Sequence, residues 1–189
     1  MDTARMTTAE ERGDGLEDRD LSPMATAATA FLATLLAIAA IAEAGFGARG
    51  LIDAFACGVL VVLAAIDIDR HLLPNRIVLP AAAIVLAAQL VFFPEHWLVV
   101  LGASFGAAAL FAGARLFYPA GLGMGDVKLA LLLGAVLGTA VLPALTLGTF
   151  AAGVFGLVLI ARGGAAARKT AIPFGPFLGF GAIVVLLFG

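Results

Sequence analysis

The chain has one cysteine, Cys57, among 189 residues, which excludes an intramolecular disulfide framework and any Cys-x-x-Cys zinc site. Histidine is nearly as scarce: His71 and His96 are the only two, and there is no His-Glu-x-x-His string to hold a metal. Charge is sparse too. Charged residues make up 13% of the chain and hydrophobic residues 62%, against about 25% and about 45–50% in soluble domains. Water is therefore not its main solvent. Three Arg and seven acids fall in the first 24 positions, so the body is poorer still in charge, and no basic patch large enough for nucleic acid remains.

That first stretch, residues 1–24, is acidic and free of aromatics, and it cannot bury enough apolar surface to offset its ordering entropy. It is expected to be a disordered cytoplasmic tail, with residues 25–189 forming the integral membrane domain. Its acidity argues against a transit peptide, and the apolar run from Ala25 to Ala44 is longer than a signal-peptide core of about 7–15 residues.

Crossing a hydrocarbon core of about 30 Å takes roughly 20 apolar helical residues. The sequence divides into segments of about that length at 25–44, 51–66, 77–93, 97–117, 127–142, 145–161 and 174–188. An all-α membrane protein, a polytopic bundle of about seven transmembrane helices, is expected. As one straight helix, 127–161 would be about 52 Å long, so it must fold back, and Pro143 is the expected reversal point. Three Gly-x-x-x-Gly pairs, Gly102/Gly106, Gly134/Gly138 and Gly175/Gly179, predict close packing of helices.

Orientation follows from Lys and Arg. With the N-terminus inside, every basic residue except Arg49 falls in a cytoplasmic segment, which puts the loops at 67–76, 118–126 and 162–172 on one face. Glu43, Arg49, Asp53 and Glu95 then lie at outer ends, where a solvated interfacial charge is the ordinary expectation.

Ionisable groups at the rim of a span are costly, and Asp67, Asp69 and Asp126 each join an apolar helix to an unusual loop. The first loop reads Asp67-Ile68-Asp69-Arg70-His71-Leu72-Leu73-Pro74-Asn75, where Pro74 stops a helix from running straight on. The second reads Gly121-Leu122-Gly123-Met124-Gly125-Asp126-Val127-Lys128, whose glycines allow Asp126 to be delivered onto the first turn of a helix. Two carboxylates that meet in a low-dielectric site do not both ionise easily, so one holds a proton while the other is a base. Such a pair activates water for amide hydrolysis without a metal. The plainer readings are an N-cap for Asp126 and a surface ion pair of Asp67 or Asp69 with Arg70.

Asp67 with Pro74-Asn75, followed by Gly123-Met124-Gly125-Asp126-Val127-Lys128 and by Ile172-Pro173-Phe174-Gly175-Pro176-Phe177, resembles the three motifs of the type IV prepilin peptidase family of membrane aspartyl proteases. The resemblance implies a peptidase that removes a short basic leader from prepilin-like precursors, in pilus or protein-secretion systems, at the cytoplasmic face of the plasma (inner) membrane. It implies Asp67 and Asp126 as the catalytic pair. Supporting positions are Asp69, Pro74, Asn75, Gly123, Gly125, Lys128, Pro173 and Gly175, with Lys128 holding a carboxylate or inner-leaflet headgroups. It implies prepilin-like substrates and membrane lipids as partners, no cofactor and no metal. Bifunctional members carry a cysteine-rich insert and methylate the new N-terminus; this sequence is similar to the short form without it, for which peptidase activity alone is expected.

Three rivals stand beside this reading. Gly102-Ala103-Ser104-Phe105-Gly106 fits a Gly-x-Ser-x-Gly string, but it lacks the strand-to-helix context, and Ser104 is expected to bond to its own helix. Pro143-Ala144-Leu145 is similar to the third motif of the presenilin-type proteases but falls on the outer side, where a turn is expected. An ion- or proton-coupled transporter would use the same aspartates to carry cations.

Overall fold

The computed structural model describes residues 23–117, 122–167 and 173–189. Most of the expected tail and the stretches 118–121 and 168–172, with Gly121, Ile172, Arg168 and Lys169, lie outside the described residues. Among those described every element is helical: α1 Pro23–Ala44, α2 Ala48–Arg70, α3 Asn75–Phe92, α4 Trp97–Phe117, α5 Met124–Leu137, α6 Val141–Ala167 and α7 Gly175–Phe188, with 3-10 turns at Pro94–His96 and Gly138–Ala140.

Five stretches are long and apolar enough to cross a membrane: Thr26–Ala44, Ala48–Arg70, Asn75–Phe92, Pro94–Phe117 and the 40 residues Met124–Gly163. The last is broken in the middle, so the segments correspond to the seven expected, but not to seven full crossings. The helices α5 and α7 have 14 residues each, about 21 Å, which is short of a 30 Å core.

The break is not at Pro143. It falls at Gly138, whose backbone adopts φ 56° and ψ −127°, a conformation a side chain resists. Pro143 sits in the first turn of α6, where the helix has no carbonyl to offer its missing N–H, so proline is tolerated there. Pro143-Ala144-Leu145 is consequently helix and not a turn. After the break the chain reverses: a Cβ on Gly148 of α6 would lie 2.7 Å from the carbonyl of Phe177, and one on Gly181 would strike the carbonyl of Ala144. Higher numbers on α6 thus meet lower numbers on α7, so the two helices run antiparallel.

The core is centred on α5, where Leu129, Ala130, Leu132, Leu133, Ala135 and Val136 are fully or almost fully buried against Leu60 and Leu63 of α2, Val78 and Val85 of α3 and Leu178 of α7. The rim is the reverse. Phe31, Leu35 and Ile38 of α1 and Phe150 and Leu157 of α6 are exposed, as suits side chains whose solvent is hydrocarbon.

Glycine sets the closest approaches, but only partly where the spacing predicts. A Cβ on Gly134 would lie 2.5 Å from Ser104 Cα of α4, and Gly179 faces Leu60, whereas Gly102 and Gly106 have open space around them. Gly148/Gly181 is a close contact the Gly-x-x-x-Gly spacing does not reveal. Ser104 is fully buried and its hydroxyl donates to the Val100 carbonyl at 2.6 Å, so it bonds to its own helix as expected.

Adding a methyl at the α4–α5 contact forces backbone apart. Gly134→Ala should destabilise by about 1–3 kcal/mol, whereas Gly102→Ala, with room for the methyl, should stay within about 0.5 kcal/mol or gain slightly. Thermal unfolding of the two variants in detergent, side by side, checks the contrast.

Candidate active site

The helix α2 ends at Arg70 because His71 takes a left-handed conformation, φ 51°, and returns its N–H to the carbonyl of Asp67 at 2.9 Å. Pro74 then caps α3 in an extended conformation, so only four residues separate the helices. Asp67 thus sits in the last turn of α2. It is 5% exposed, and its Oδ2 accepts the backbone N–H of Gly175 at 2.8 Å.

Gly175 is the first residue of α7, where the leading N–H groups have no carbonyl within the helix to bond. Asp67 satisfies one of them and places its carboxyl at the positive end of the helix. The contact depends on the missing side chain: a Cβ on Gly175 would lie 2.8 Å from Asp67 Oδ2.

Asp126 is anchored the same way. The helix α5 starts at Met124 with Gly123 as its N-cap, and the Asp126 Oδ2 accepts the Gly123 N–H at 2.9 Å. This is half of a capping box, since glycine has no side chain to return the second bond. Asp126 therefore lies two residues inside the start of the helix. It is 7% exposed.

The surrounding loops are latched together. Gly125 packs on Leu73, with 2.7 Å from a notional Cβ to that side chain's Cβ, and Lys128 Nζ donates to Asn75 Oδ1 at 2.6 Å. Lys128 thus holds the carbonyl oxygen of Asn75 and not a carboxylate. At the end of α4, the Arg115 guanidinium donates to the Leu122 carbonyl, and Phe111 packs its ring 6.4 Å from that of Phe174. Pro173 is half-buried just before α7.

Asp67, Pro74, Asn75, Gly123, Gly125, Asp126, Lys128, Pro173 and Gly175 are therefore gathered at one end of the bundle. Asp69 is not part of the pair. Two residues along a helix turn it about 200° from Asp67, and it lines a groove of about 1360 Å³ with Arg70, Leu73, Asn75 and Thr26 that neither buried acid borders. Its carboxylate is 3.9 Å from Arg70 Nε and 41% exposed, which makes it the plainer surface ion pair. Leu73 and Arg115 are the additions that sequence reasoning left without a role. Arg115 carried a signal, as a lone cation ending an apolar run on the expected face.

His71 is exposed in its turn, and no cluster of three or more His, Cys, Asp or Glu capable of holding a metal occurs among the described residues. Asp53 departs from expectation. It is not a solvated outer charge but 4% exposed, with its Oδ2 3.0 Å from Arg49 Nε, one turn back on α2.

The sequence matches the model of the type IV leader peptidase family over residues 54–161, more than half of the chain and inclusive of both acids. The curated proteins it is similar to include several named prepilin leader peptidase/N-methyltransferase. That of Xanthomonas campestris pv. campestris is 32% identical over 84% of this chain and 57% of the relative. That of Legionella pneumophila is 34% identical over 84% and 57%, and that of Burkholderia pseudomallei is 37% identical over 81% and 52%. The chain thus spans about half the length of the curated relatives it matches. No solved structure gave a significant match. With both acids inside the matched region and buried at the same end of a helical bundle, this chain belongs to the type IV leader peptidase family.

Proposed function

We propose that the chain is a membrane aspartic endopeptidase that cleaves the leader from type IV prepilin-like precursors, with Asp67 and Asp126 as its catalytic pair. The single observation that carries this reading is the burial of two carboxylates at one end of the bundle, each held by a main-chain N–H at the start of a helix. Family membership points the same way. Transport by the same aspartates finds no support, since the relatives carry peptidase names.

In the mechanism, one carboxylate of the pair is ionised and takes a proton from a water lying between them. The hydroxide oxygen bonds to the scissile carbonyl carbon. The other carboxyl, protonated, gives its proton to the carbonyl oxygen as the tetrahedral intermediate forms. Collapse then breaks the C–N bond: the proton held by the first carboxylate passes to the leaving nitrogen, and one hydroxyl of the intermediate returns its proton to the second carboxylate, which restores the starting pair. The donors from Gly123 and Gly175 fix one oxygen of each acid, which orients the other for this exchange. Lys128 and Asn75 support the geometry by latching α5 to the start of α3.

The excess of Lys and Arg flanking the acid-bearing end supports its placement at the cytoplasmic face of the plasma membrane, where the precursor's leader would remain while its apolar stem lies in lipid. We assign hydrolysis alone to these residues.

Asp67→Asn and Asp126→Asn should each lower cleavage of a prepilin precursor by about 10²–10⁴ or more in reconstituted membranes, while exposed Asp69→Asn keeps activity within about tenfold. Full activity in either of the first two removes the assignment. Gly175→Ala should reduce kcat by about tenfold to a hundredfold by displacing the Asp67 carboxylate, and Gly153→Ala, which has open space, should leave it unchanged. In a Cys57→Ala background, a membrane-impermeant maleimide should label Asp69→Cys only in inverted vesicles and Glu43→Cys only in right-side-out ones. The opposite pattern would reverse the orientation.

A further inference from the structure

The polar residues at the end of the bundle remote from the acids have no part in the chemistry, yet they are joined to it by two helices. The break at Gly138 ends α5 after 14 residues and leaves its last carbonyls without helical partners. In an apolar surrounding such groups are expensive to leave unbonded. Two side chains from other helices meet them. Gln89 of α3, 3% exposed, donates to the carbonyls of Ala135 and Val136 at 3.2 and 3.4 Å, and Arg49 of α2 donates to that of Val136 at 3.3 Å. Asp53 holds the Arg49 guanidinium from one turn further along α2, with Nε to Oδ2 at 3.0 Å.

The helices joined by Arg49 are the ones that carry the acids. Asp67 lies 18 residues along α2 from Arg49, about 27 Å, and Asp126 lies 10 residues back along α5 from Val136, about 15 Å. The hydrogen bonds of the acids themselves do not join α2 to α5, because Asp67 bonds to α7 and Asp126 to its own N-cap. The Arg49–Val136 bond does. Apolar ridges and grooves repeat along a helix, so packing alone leaves neighbouring registers as competitors, whereas a bond to a single carbonyl favours one.

We propose that Arg49, steadied by Asp53, is a positioning residue that sets the axial register of α5 against α2 and thereby the placement of Asp126 relative to Asp67. The inference rests on the catalytic reading of that pair. A slip of one residue moves Asp126 by about 1.5 Å, and a misplacement of about 1 Å can cost about a hundredfold in rate.

The test uses Arg49→Met/Asp53→Asn, which removes the tie without stranding a buried carboxylate, and Gln89→Leu, which removes the tie to α3 while keeping that to α2. Spin labels at Ile68→Cys and Met124→Cys, in the Cys57→Ala background, read the α2–α5 distance at the acid end by dipolar coupling. Cleavage of a prepilin precursor is measured on the unlabelled proteins. We expect the double variant to shift or broaden the distance by about 1.5 Å and to lower kcat about tenfold or more with KM within about twofold, and Gln89→Leu to do markedly less on both counts at a similar loss of melting temperature. An unchanged distance in the folded double variant, or equal effects from Gln89→Leu, overturns the proposal. Should the double variant not fold, Arg49→Gln/Asp53→Asn, whose two amides keep a polar pair one turn apart on α2 while the shorter side chain falls short of Val136, takes its place: a shifted distance with lowered kcat supports the proposal, and an unchanged distance overturns it. If the wild-type chain cleaves no precursor, the catalytic reading fails, while the distance measurement still decides whether Arg49 sets the register.

Discussion

Two needs that an apolar medium makes acute are met by the same contact. A buried carboxylate requires a donor, and the first peptide groups of a helix require an acceptor. Asp67 and the start of α7 satisfy each other, as do Asp126 and the start of α5. Much of the remaining architecture follows from bringing these partners together. The helix α7 must begin beside the end of α2, which needs α6 to return across the bundle, and that return needs the chain to reverse after α5.

The reversal illustrates how few residues steer a bundle of otherwise interchangeable apolar side chains. Gly138 turns the chain, Gly134 lets α5 settle on α4, and Gly148 with Gly181 lets α6 and α7 touch backbone to backbone. Leucine and valine fill the space between and favour close-packed arrangements over loose ones. The polar bonds then choose one: Lys128 to Asn75 near the acids, and Arg49 and Gln89 to the carbonyls of α5 at the other end.

Much of this is legible in the residues alone. The helical segments follow from apolar run length, and the acids stand out because charge is so rare in the body of the chain. The resemblance also singles out the late Pro173–Phe177 stretch, but not its contact with an acid; that stretch lies outside the residues matched by the family model, yet Gly175 reaches Asp67. What stays hidden is local. Pro143 draws attention as a breaker, but proline is tolerated in a first helical turn, and the unusual torsion falls on Gly138, which the sequence marks only as one of several glycines with helix-packing spacing. Gly102 and Gly106 have helix-packing spacing but face open space, because spacing fixes a common face and not what lies opposite it. Asp53 looks like an interfacial charge; it is paired with Arg49 one turn away, whose guanidinium also reaches the Val136 carbonyl of α5, and that bond is tertiary information.

The donors that hold both acids are peptide N–H groups, and nearly every residue supplies one. Replacing side chains one at a time would therefore fail to expose these bonds except where bulk or a proline ring intervenes. What the protein must preserve at Gly175 is an empty volume beside Asp67. Mutational tolerance at that position should consequently follow side-chain size and backbone geometry, with polarity nearly irrelevant, a profile easily mistaken for a packing residue although the group being protected is an acid.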